Sequence, residues 1–167
     1  LAVYELESVE TLRSAEYRAQ SENPTDWTKR MSPNIIGRGT VRSVCTQISP
    51  AESDPDTMGR GMAPALQIGR MDVPSDIEAK YNDYYDNQRT PRNLTVPGCL
   101  FVRRYHVVEG APKYLTMYEF EHEKVPESLV WEEYRKADTM HDYIGGSYSH
   151  PPGSPGVYRR ILPARAF

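Results

Sequence analysis

The sequence predicts an α+β fold made of one and a half copies of a β-α-β-β-α-β unit. Leu-Ala-Val-Tyr-Glu-Leu-Glu at residues 1–7 is repeated as Leu-Thr-Met-Tyr-Glu-Phe-Glu at residues 115–121. Each copy leads into a helical stretch that contains Glu-Tyr-Arg, at residues 16–18 and 133–135. Two similar segments in the same order indicate an internal repeat. The second copy contains a whole unit, whereas the first copy begins in the middle of one.

The second unit opens with a short strand at Ala65–Met71. A helix follows, and Ser75 with Glu78 three residues later has the pattern of a capping box. Apolar and aromatic residues then recur at helical spacing, which predicts an inward face at Ile77, Tyr81, Tyr84, Tyr85 and Gln88. Pro91 is expected to end or kink this helix, because proline lacks the backbone N–H that a helix requires.

The remaining elements follow in order. They are a strand at Cys99–Val108, a hairpin turn at residues 109–112, a strand at Lys113–Glu121, a helix at about Pro126–Ala137, a glycine- and proline-rich loop at residues 145–156, and a last strand at Val157–Leu162. This order is that of the split βαβ, or ferredoxin-like, unit.

The first unit supplies only its second half. Residues 1–48 are read as a strand at 1–7, a helix near 9–20 and a strand within 35–48. Residues 49–64 form a linker rich in Pro, Gly, Ser and Asp, and the complete second unit occupies residues 65–167. About 50 residues of the first unit are expected to precede Leu1. This interpretation requires residues 1–6 to form a strand beside the second unit.

Composition restricts the class of function. The 167 residues carry a net charge of −3, and the basic residues are scattered, so nucleic acid is not an expected partner. No apolar run approaches the roughly 18 residues of a membrane span, so we expect a soluble, cytoplasmic protein without a membrane partner. Cys45 and Cys99 lie in apolar runs and are expected to be buried free thiols.

Several motifs of the second unit resemble the EthD-like branch of the dimeric α+β barrel superfamily. They are Tyr-Tyr-Asp-Asn-Gln-Arg-Thr-Pro at residues 84–91, Val-Pro-Gly at 96–98, Arg-Arg-Tyr at 103–105 and Glu-Gly-Ala-Pro-Lys-Tyr-Leu at 109–115. The resemblance covers residues 64–167, and residues 1–48 are similar to the latter half of the same unit. It implies that two ferredoxin-like sheets pair into a barrel, in a homodimer or an intrachain pseudo-dimer.

The resemblance also implies a small-molecule site between sheet and helices. Members of the superfamily catalyse cofactor-free oxygenation, decarboxylation, dehydration and isomerisation, and some bind haem. Where the family usually carries His, this sequence has Arg89. A guanidinium stays charged near neutral pH and cannot shuttle a proton as imidazole does. The site has therefore moved to other residues, or lies in the first unit, or this half has become structural.

Alternation along the strand at 99–108 places Arg103 and Tyr105 on one face and Arg104 and His106 on the other. An inward Arg needs an anion to offset its desolvation. A substrate carboxylate or enolate would serve, and so would Glu119 or Glu121 on the neighbouring hairpin strand.

Tyr118 and Glu119 lie on a strand that should be central, where a desolvated carboxylate can act as a base or simply pair with an Arg. The catalytic candidates are His106, Glu119, Tyr118 and Arg103. The substrate-binding candidates are Arg89, Arg104, Tyr84, Tyr85, Tyr105 and His141. The four histidines have no metal-ligand spacing, and a structural role is open for each of these residues.

The expected function is an acid–base enzyme of the lyase or isomerase type that acts on an aromatic or polyketide-like carbonyl compound. Such chemistry needs a base and donors that stabilise an enolate, and it needs no cofactor or metal. Two alternatives remain. One is a non-catalytic binding or assembly protein that uses the barrel as an interface. The other is a haem protein with His106 or His141 as the axial ligand.

Overall fold

The computed structural model describes residues 1–37, 40–51 and 61–161. Its helices are α1 (Ala15–Glu22), α2 (Asp26–Arg30), α3 (Pro33–Ile36), α4 (Glu78–Tyr84), α5 (Thr90–Asn93), α6 (Leu129–Lys136) and α7 (Met140–Ile144). The strands are β1 (Val44–Ser49), β2 (Ala65–Met71), β3 (Cys99–Glu109), β4 (Tyr114–Phe120) and β5 (Gly156–Arg159). Short 3₁₀ helices span Val9–Arg13 and Val125–Glu127, and a π-helical turn spans Tyr85–Arg89.

The five strands form one antiparallel sheet in the order β1-β3-β4-β2-β5. From β2 onward the chain runs β-α-β-β-α-β, as predicted, and the order of these four strands is compatible with a ferredoxin-like unit. The strand expected within residues 35–48 is β1, which extends this sheet by pairing with β3. The α+β class is therefore confirmed.

Side chains leave the sheet on two faces, because successive residues of a strand alternate. On the helix face, Met71 and Tyr114 pack with α4 and α7, while Val102 and Phe120 pack around Trp131 of α6. On the opposite side, here called the open face, Leu66, Ile68 and Met117 form a third apolar cluster, with Met62, Tyr105 and Leu115 at its margin.

The helix that begins at Glu78 continues through the π-helical turn into α5. Tyr81, Tyr84 and Tyr85 are at most 3% exposed, so the predicted tyrosine face is inward. Pro91 cannot donate a backbone hydrogen bond to residue 87. The helix widens just before Pro91, where the N–H of Thr90 donates to the carbonyl of Tyr85, five residues earlier in the chain. The predicted kink at Pro91 thus takes the form of a π-helical turn.

Two local predictions for this helix are wrong. It begins at Glu78 with Ile77 at the N-cap position, and no side chain caps it, so Ser75 is not the cap. Residues 75–77 form a turn instead. The Glu78 carboxylate accepts hydrogen bonds from Lys113 and Tyr114, so it is not available to close a capping box. Gln88, assigned to the inward face, is exposed.

The strand predicted at residues 1–7 is also wrong. These residues have no strand or helix, and Tyr4 is 82% exposed. The helix expected near 9–20 is a 3₁₀ turn followed by α1, with Ser14 capping the N–H of Tyr17. The requirement that the repeat interpretation placed on residues 1–6 is therefore not met.

Residues 1–37 contribute no buried residue to the core. Apolar side chains on this segment remain in solvent, including Trp27 at 63% and Ile35 at 68% exposure. Most of the predicted linker, and Leu162 of the predicted last strand, lie outside the described residues, and so do two residues preceding β1. The short helix α7 was not predicted; it begins directly after Thr139 and ends at Gly145, whose φ of 64° suits glycine.

Candidate functional site

The sheet separates the predicted site residues onto its two faces. Arg104 and His106 point to the helix face beside Thr116 and Tyr114, their register partners on β4, and Tyr118 lies on the same side. Arg103 and Glu119 lie on the open face. Tyr118 and Glu119 are consecutive in β4, so they cannot share a face. The catalytic set predicted from sequence is therefore not brought together at one place.

A polar cluster fills the helix face between β3, β4 and α4–α5. It consists of Tyr81, Tyr85, Arg89, Arg104 and Tyr118, and is called here the tyrosine–arginine cluster. The guanidinium carbon of Arg104 lies 4.6 Å from the ring centre of Tyr85 and 5.4 Å from that of Tyr81. A cation placed over aromatic faces at this distance is stabilised by the ring quadrupoles.

Residues of the helix that spans 78–93 balance the positive charge of Arg104. Its Nη1 donates to Asp86 at 2.7 Å, and its Nη2 donates to the amide oxygen of Asn82 at 2.6 Å. Arg104 is only 1% exposed, so these bonds compensate for a large desolvation cost. Neither Asp86 nor Asn82 was singled out from the sequence. Their spacing of four residues on an amphipathic helix was the available signal.

Arg89, which stands where the resembling family has His, is tied to a carboxylate. Its Nη1 lies 2.8 Å from Asp138, and its guanidinium stands 5.1 Å from the ring centre of Tyr85. Asp138 also accepts from the hydroxyl of Tyr84 at 2.9 Å and from the N–H of Met140 at 2.9 Å. Asp138 was missed from the sequence, although it lies two residues before the first residue of α7, where Asp is a common helix-start signal.

Several polar atoms of this region are buried without a hydrogen-bond partner in the described structure. They are the hydroxyls of Tyr81 and Tyr118, Nε of Arg89, Arg92 and Arg104, and Oγ1 of Thr90. Burial raises the pKa of Tyr81 and of Tyr118 above the usual range, although the nearby guanidinium of Arg104 or Arg89 opposes the shift in part. Both phenols are therefore protonated and can donate. An unsatisfied buried donor costs about 1–3 kcal/mol, so such groups need a role.

A second polar group lies at the far end of the same face. Tyr114 and Lys113 both donate to Glu78, and these two hydrogen bonds lower the pKa of that carboxyl. Asn82 donates to the Tyr114 hydroxyl at 3.2 Å and accepts from Arg104, so it joins this group to the tyrosine–arginine cluster. The His106 ring lies edge-on to Tyr114, with ring centres 5.7 Å apart.

The open face holds a buried ion pair. Nε of Arg103 donates to Glu119 at 2.7 Å, and the other oxygen of Glu119 accepts from the N–H of Ala63 at 2.8 Å. Nη1 of Arg103 donates to Glu5 of the N-terminal segment at 2.6 Å. Of the two hairpin carboxylates predicted as possible partners of Arg103, Glu119 and Glu121, the structure brings Glu119 to it. Burial raises the pKa of neighbouring Tyr105 to about 12, against the opposing effect of Arg103.

The remaining candidates lie apart from both groups. The side chain of His141 is 77% exposed, and its ring centre lies 6.3 Å from that of Tyr148. Cys45 and Cys99 are free thiols, as predicted; Cys99 is buried, whereas Cys45, also expected to be buried, is only partly so. Burial raises the pKa of Cys99 to about 12, so its thiolate is not populated near neutral pH.

Two surface grooves lie beside β5 and α6. One, of about 330 Å³, is lined by residues that include Gln67 and Trp131; the other, of about 450 Å³, includes Glu123 and Arg159. Neither is lined by the tyrosine–arginine cluster.

The described residues contain neither a cluster suited to a metal ion nor a helix suited to a membrane. No three His, Cys, Asp or Glu side chains among them are grouped so as to hold a metal ion. No helix within residues 1–37, 40–51 and 61–161 is long and apolar enough to cross a membrane. Comparison of the chain with protein-family models, curated proteins and solved structures found no match.

Proposed function

We propose that the protein is a cofactor-independent enzyme that binds an aromatic or polyketide-like carbonyl compound at the tyrosine–arginine cluster. One observation carries this proposal: the hydroxyls of Tyr81 and Tyr118 and the Nε atoms of Arg89 and Arg104 are buried together next to a π-helical turn, without a hydrogen-bond partner among the described residues. Donors of this kind are what a developing enolate oxygen requires. Turns of this type often occur at functional sites.

The spacing of the side chains along β3 and β4 supports separate roles for His106 and Tyr118. His106 pairs with Tyr114, and Tyr118 lies four residues further along β4, which corresponds to about 13 Å in a strand. A compact substrate cannot touch both side chains, whereas an extended one can. In this arrangement His106 removes a proton next to the carbonyl, Arg104 stabilises the enolate, and Tyr118 and Arg89 bind the distal end.

The two phenols serve as donors and not as bases, because burial raises the pKa of each. Asp138 and Asp86 are each paired with an arginine, so neither carboxylate is free to approach a substrate proton. This leaves imidazole as the group suited to proton transfer near neutral pH. The two grooves described above do not reach the cluster.

The test is deuterium exchange at the α-carbon of aromatic 1,3-dicarbonyl compounds, followed by NMR with the wild type and two variants. His106→Gln should lose the enhancement by about 10²-fold or more, since it removes the base. His122→Gln is the matched control, because His122 is exposed and lies outside the site. Equal rates for the two variants, or no enhancement by the wild type, would refute the assignment and favour the non-catalytic binding role.

We also propose that the open face packs against a second sheet, as the barrel resemblance implies. Leu66, Ile68 and Met117 give this face an apolar centre, and they are only 3–8% exposed in the single chain, so a second sheet would contact chiefly its margin.

Light scattering after size-exclusion chromatography tests the assembly. A charge at Leu115, on the margin of the open face, should shift a dimer to monomer, because a sheet interface does not tolerate an unpaired charge. Leu129→Glu places the same charge at a site on α6 that is 77% exposed, and should leave the mass unchanged. A monomeric wild type would refute the proposed assembly, and a Leu115→Glu dimer would place the interface elsewhere.

A further inference from the structure

We propose that the groove between α6 and β5 is a second binding site, which takes a neutral ring compound with a lactam or carboxamide edge against the side-chain amide of Gln67. This groove, of about 330 Å³, is the one lined by Gln67 and Trp131. No residue of the tyrosine–arginine cluster lines it, so the site does not depend on the function proposed for that cluster.

Gln67 is a polar residue within β2, the strand that lies between β4 and β5. Its register partners are Tyr118 on β4 and Val157 on β5, so its side chain leaves the sheet on the helix face. It is only 9% exposed, and it lines the groove. Among the described residues, none forms a hydrogen bond with its side-chain amide. A buried amide without a partner is destabilising, so a group that enters the groove can supply what the fold does not.

The helix face of the sheet leaves room beside Gln67. The next residue of β2 on this face is Gly69, since side chains alternate along a strand. Apart from the chain neighbours of Gly69, the nearest atom to a β-carbon at this position would be the carbonyl oxygen of Thr116, at 4.0 Å. No described side chain therefore fills the space above Gly69. The apolar walls of the groove come from Pro126, Trp131 and Pro155. A compact apolar ring matches such walls.

The amide of Gln67 defines the edge of the ligand. Its Oε1 accepts hydrogen bonds and its Nε2 donates them, and the two atoms lie side by side. A group that satisfies both must itself carry an N–H and a C=O side by side. A lactam and a primary carboxamide have this pair, whereas a ketone offers only the acceptor. The ligand class therefore differs from the carbonyl compounds proposed for the tyrosine–arginine cluster.

The charges along the groove favour a neutral ligand. Glu127, Glu132 and Arg135 line it, so carboxylates outnumber guanidinium groups. Each carboxylate is paired with a lysine, Glu127 with Lys124 at 3.2 Å and Glu132 with Lys136 at 2.9 Å. The groove thus lacks the excess of positive charge that attracts a phosphate or carboxylate ligand.

Ligand-observed NMR titration of the full chain with the bicyclic lactam carbostyril tests the site. The matched ligand is N-methylcarbostyril, which lacks the N–H. The wild type should bind the lactam about tenfold more tightly than its N-methyl derivative, because methylation leaves Oε1 of Gln67 without a donor. Gln67→Met keeps the length of the side chain without the amide, so this preference should fall below about twofold. Gln88→Met makes the same change at an exposed position outside the groove and should keep the preference of the wild type.

Equal affinity of the wild type for the two ligands would overturn the proposal, and this comparison does not require any variant to fold. An equal preference in Gln67→Met and the wild type would overturn it too. Tyr118→Phe separates the groove from the tyrosine–arginine cluster. A lactam in the groove should keep its affinity in this variant, whereas loss in Tyr118→Phe but not in Gln67→Met would place the lactam at the cluster and refute the groove site. The deuterium-exchange test of His106 does not enter these comparisons, so the two proposals can fail separately.

Discussion

Neighbouring residues of the central strands carry similar chemistry to opposite sides of the sheet. Arg103 meets Glu119 and Glu5 on the open face, while Arg104 meets Asp86 and Asn82 on the helix face. Alternation along the strand predicts this separation of the arginines. The same rule applied to Tyr118 and Glu119 separates them too, and grouping them in one catalytic set neglected it.

The sequence allowed a strand partner of Arg103 to be predicted, but not the helix and loop partners of Arg104 and Arg89. Glu119 was a foreseeable partner for Arg103, because a hairpin fixes which residues face each other across two strands. Asp86, Asn82 and Asp138 were not foreseen. They reach the arginines only because a helix docks on the sheet at a particular rotation, and a single sequence does not specify that rotation.

Removing the Tyr118 hydroxyl should affect ligand binding without lowering the stability of the fold. Its hydroxyl is buried without a partner in the described structure, so Tyr118→Phe should leave the free energy of unfolding unchanged or raise it by up to about 1 kcal/mol. Tyr84→Phe is the matched control. The Tyr84 hydroxyl bonds to Asp138 and to the N–H of Thr139, so its loss should cost about 1–2 kcal/mol.

Urea unfolding of both variants gives these two free energies. If the hydroxyl of Tyr118 serves a ligand, the same variant that is stable should lose affinity for aromatic carbonyl compounds. A Tyr118→Phe variant as unstable as Tyr84→Phe would mean that the phenol is hydrogen-bonded in solution and is not a free donor.

Glu78 should make stability sensitive to acid. Hydrogen bonds from Lys113 and Tyr114 lower its pKa in the folded state. Its contribution is therefore complete above the unfolded pKa, near 4.5, and is lost as the pH falls through the lower folded value. The melting temperature of Glu78→Gln should lie below that of the wild type at pH 7, and the two should converge below pH 4.5. A constant difference across this range would contradict the assignment.

Among the elements, the helix spanning residues 78–93 was predicted correctly in its buried face and incorrectly in its start. Periodicity identified its buried tyrosines, and Pro91 marked the place where its hydrogen bonding changes. The start was misplaced because Glu78, assigned to a cap, instead binds Lys113 and Tyr114 of the hairpin. A contact distant in sequence thus overrode a local signal.

Helices α1 and α6 both begin with a Ser cap. Removing each cap compares how much residues 1–37 and the core contribute to the free energy of unfolding. Ser128 caps α6 by accepting from the N–H of Trp131, and Ser14 caps α1 by accepting from that of Tyr17. Ser128→Ala should lower the free energy of unfolding by about 1 kcal/mol. Ser14→Ala should leave it unchanged, because α1 buries no residue and need not unfold together with the core.

Thermal or urea unfolding followed by tryptophan fluorescence measures both effects, since Trp131 lies in the core. An equal loss in the two variants would show that residues 1–37 unfold as one unit with the sheet.

On the scale of the whole molecule, residues 1–37 and the sheet with its helices have different physical character. Pairing of β1 with β3 joins the chain after residue 40 to the sheet, whereas a strand sequence alone did not suffice to make residues 1–7 a strand. A strand needs partners for its N–H and C=O groups. The resemblance between residues 1–7 and 115–121 therefore specifies a pattern of side chains, and the secondary structure depends on which neighbouring strands are present.

This difference predicts where a protease cuts first. None of residues 1–37 is buried, so local opening there costs little, whereas the arginines of β3 lie in a strand paired on both sides. Limited trypsin digestion should cleave after Arg18, Lys29 or Arg30 well before any site between residues 99 and 120, as read from the masses of the products. Early cleavage within β3 or β4 would mean that the sheet is not the stable part of the molecule.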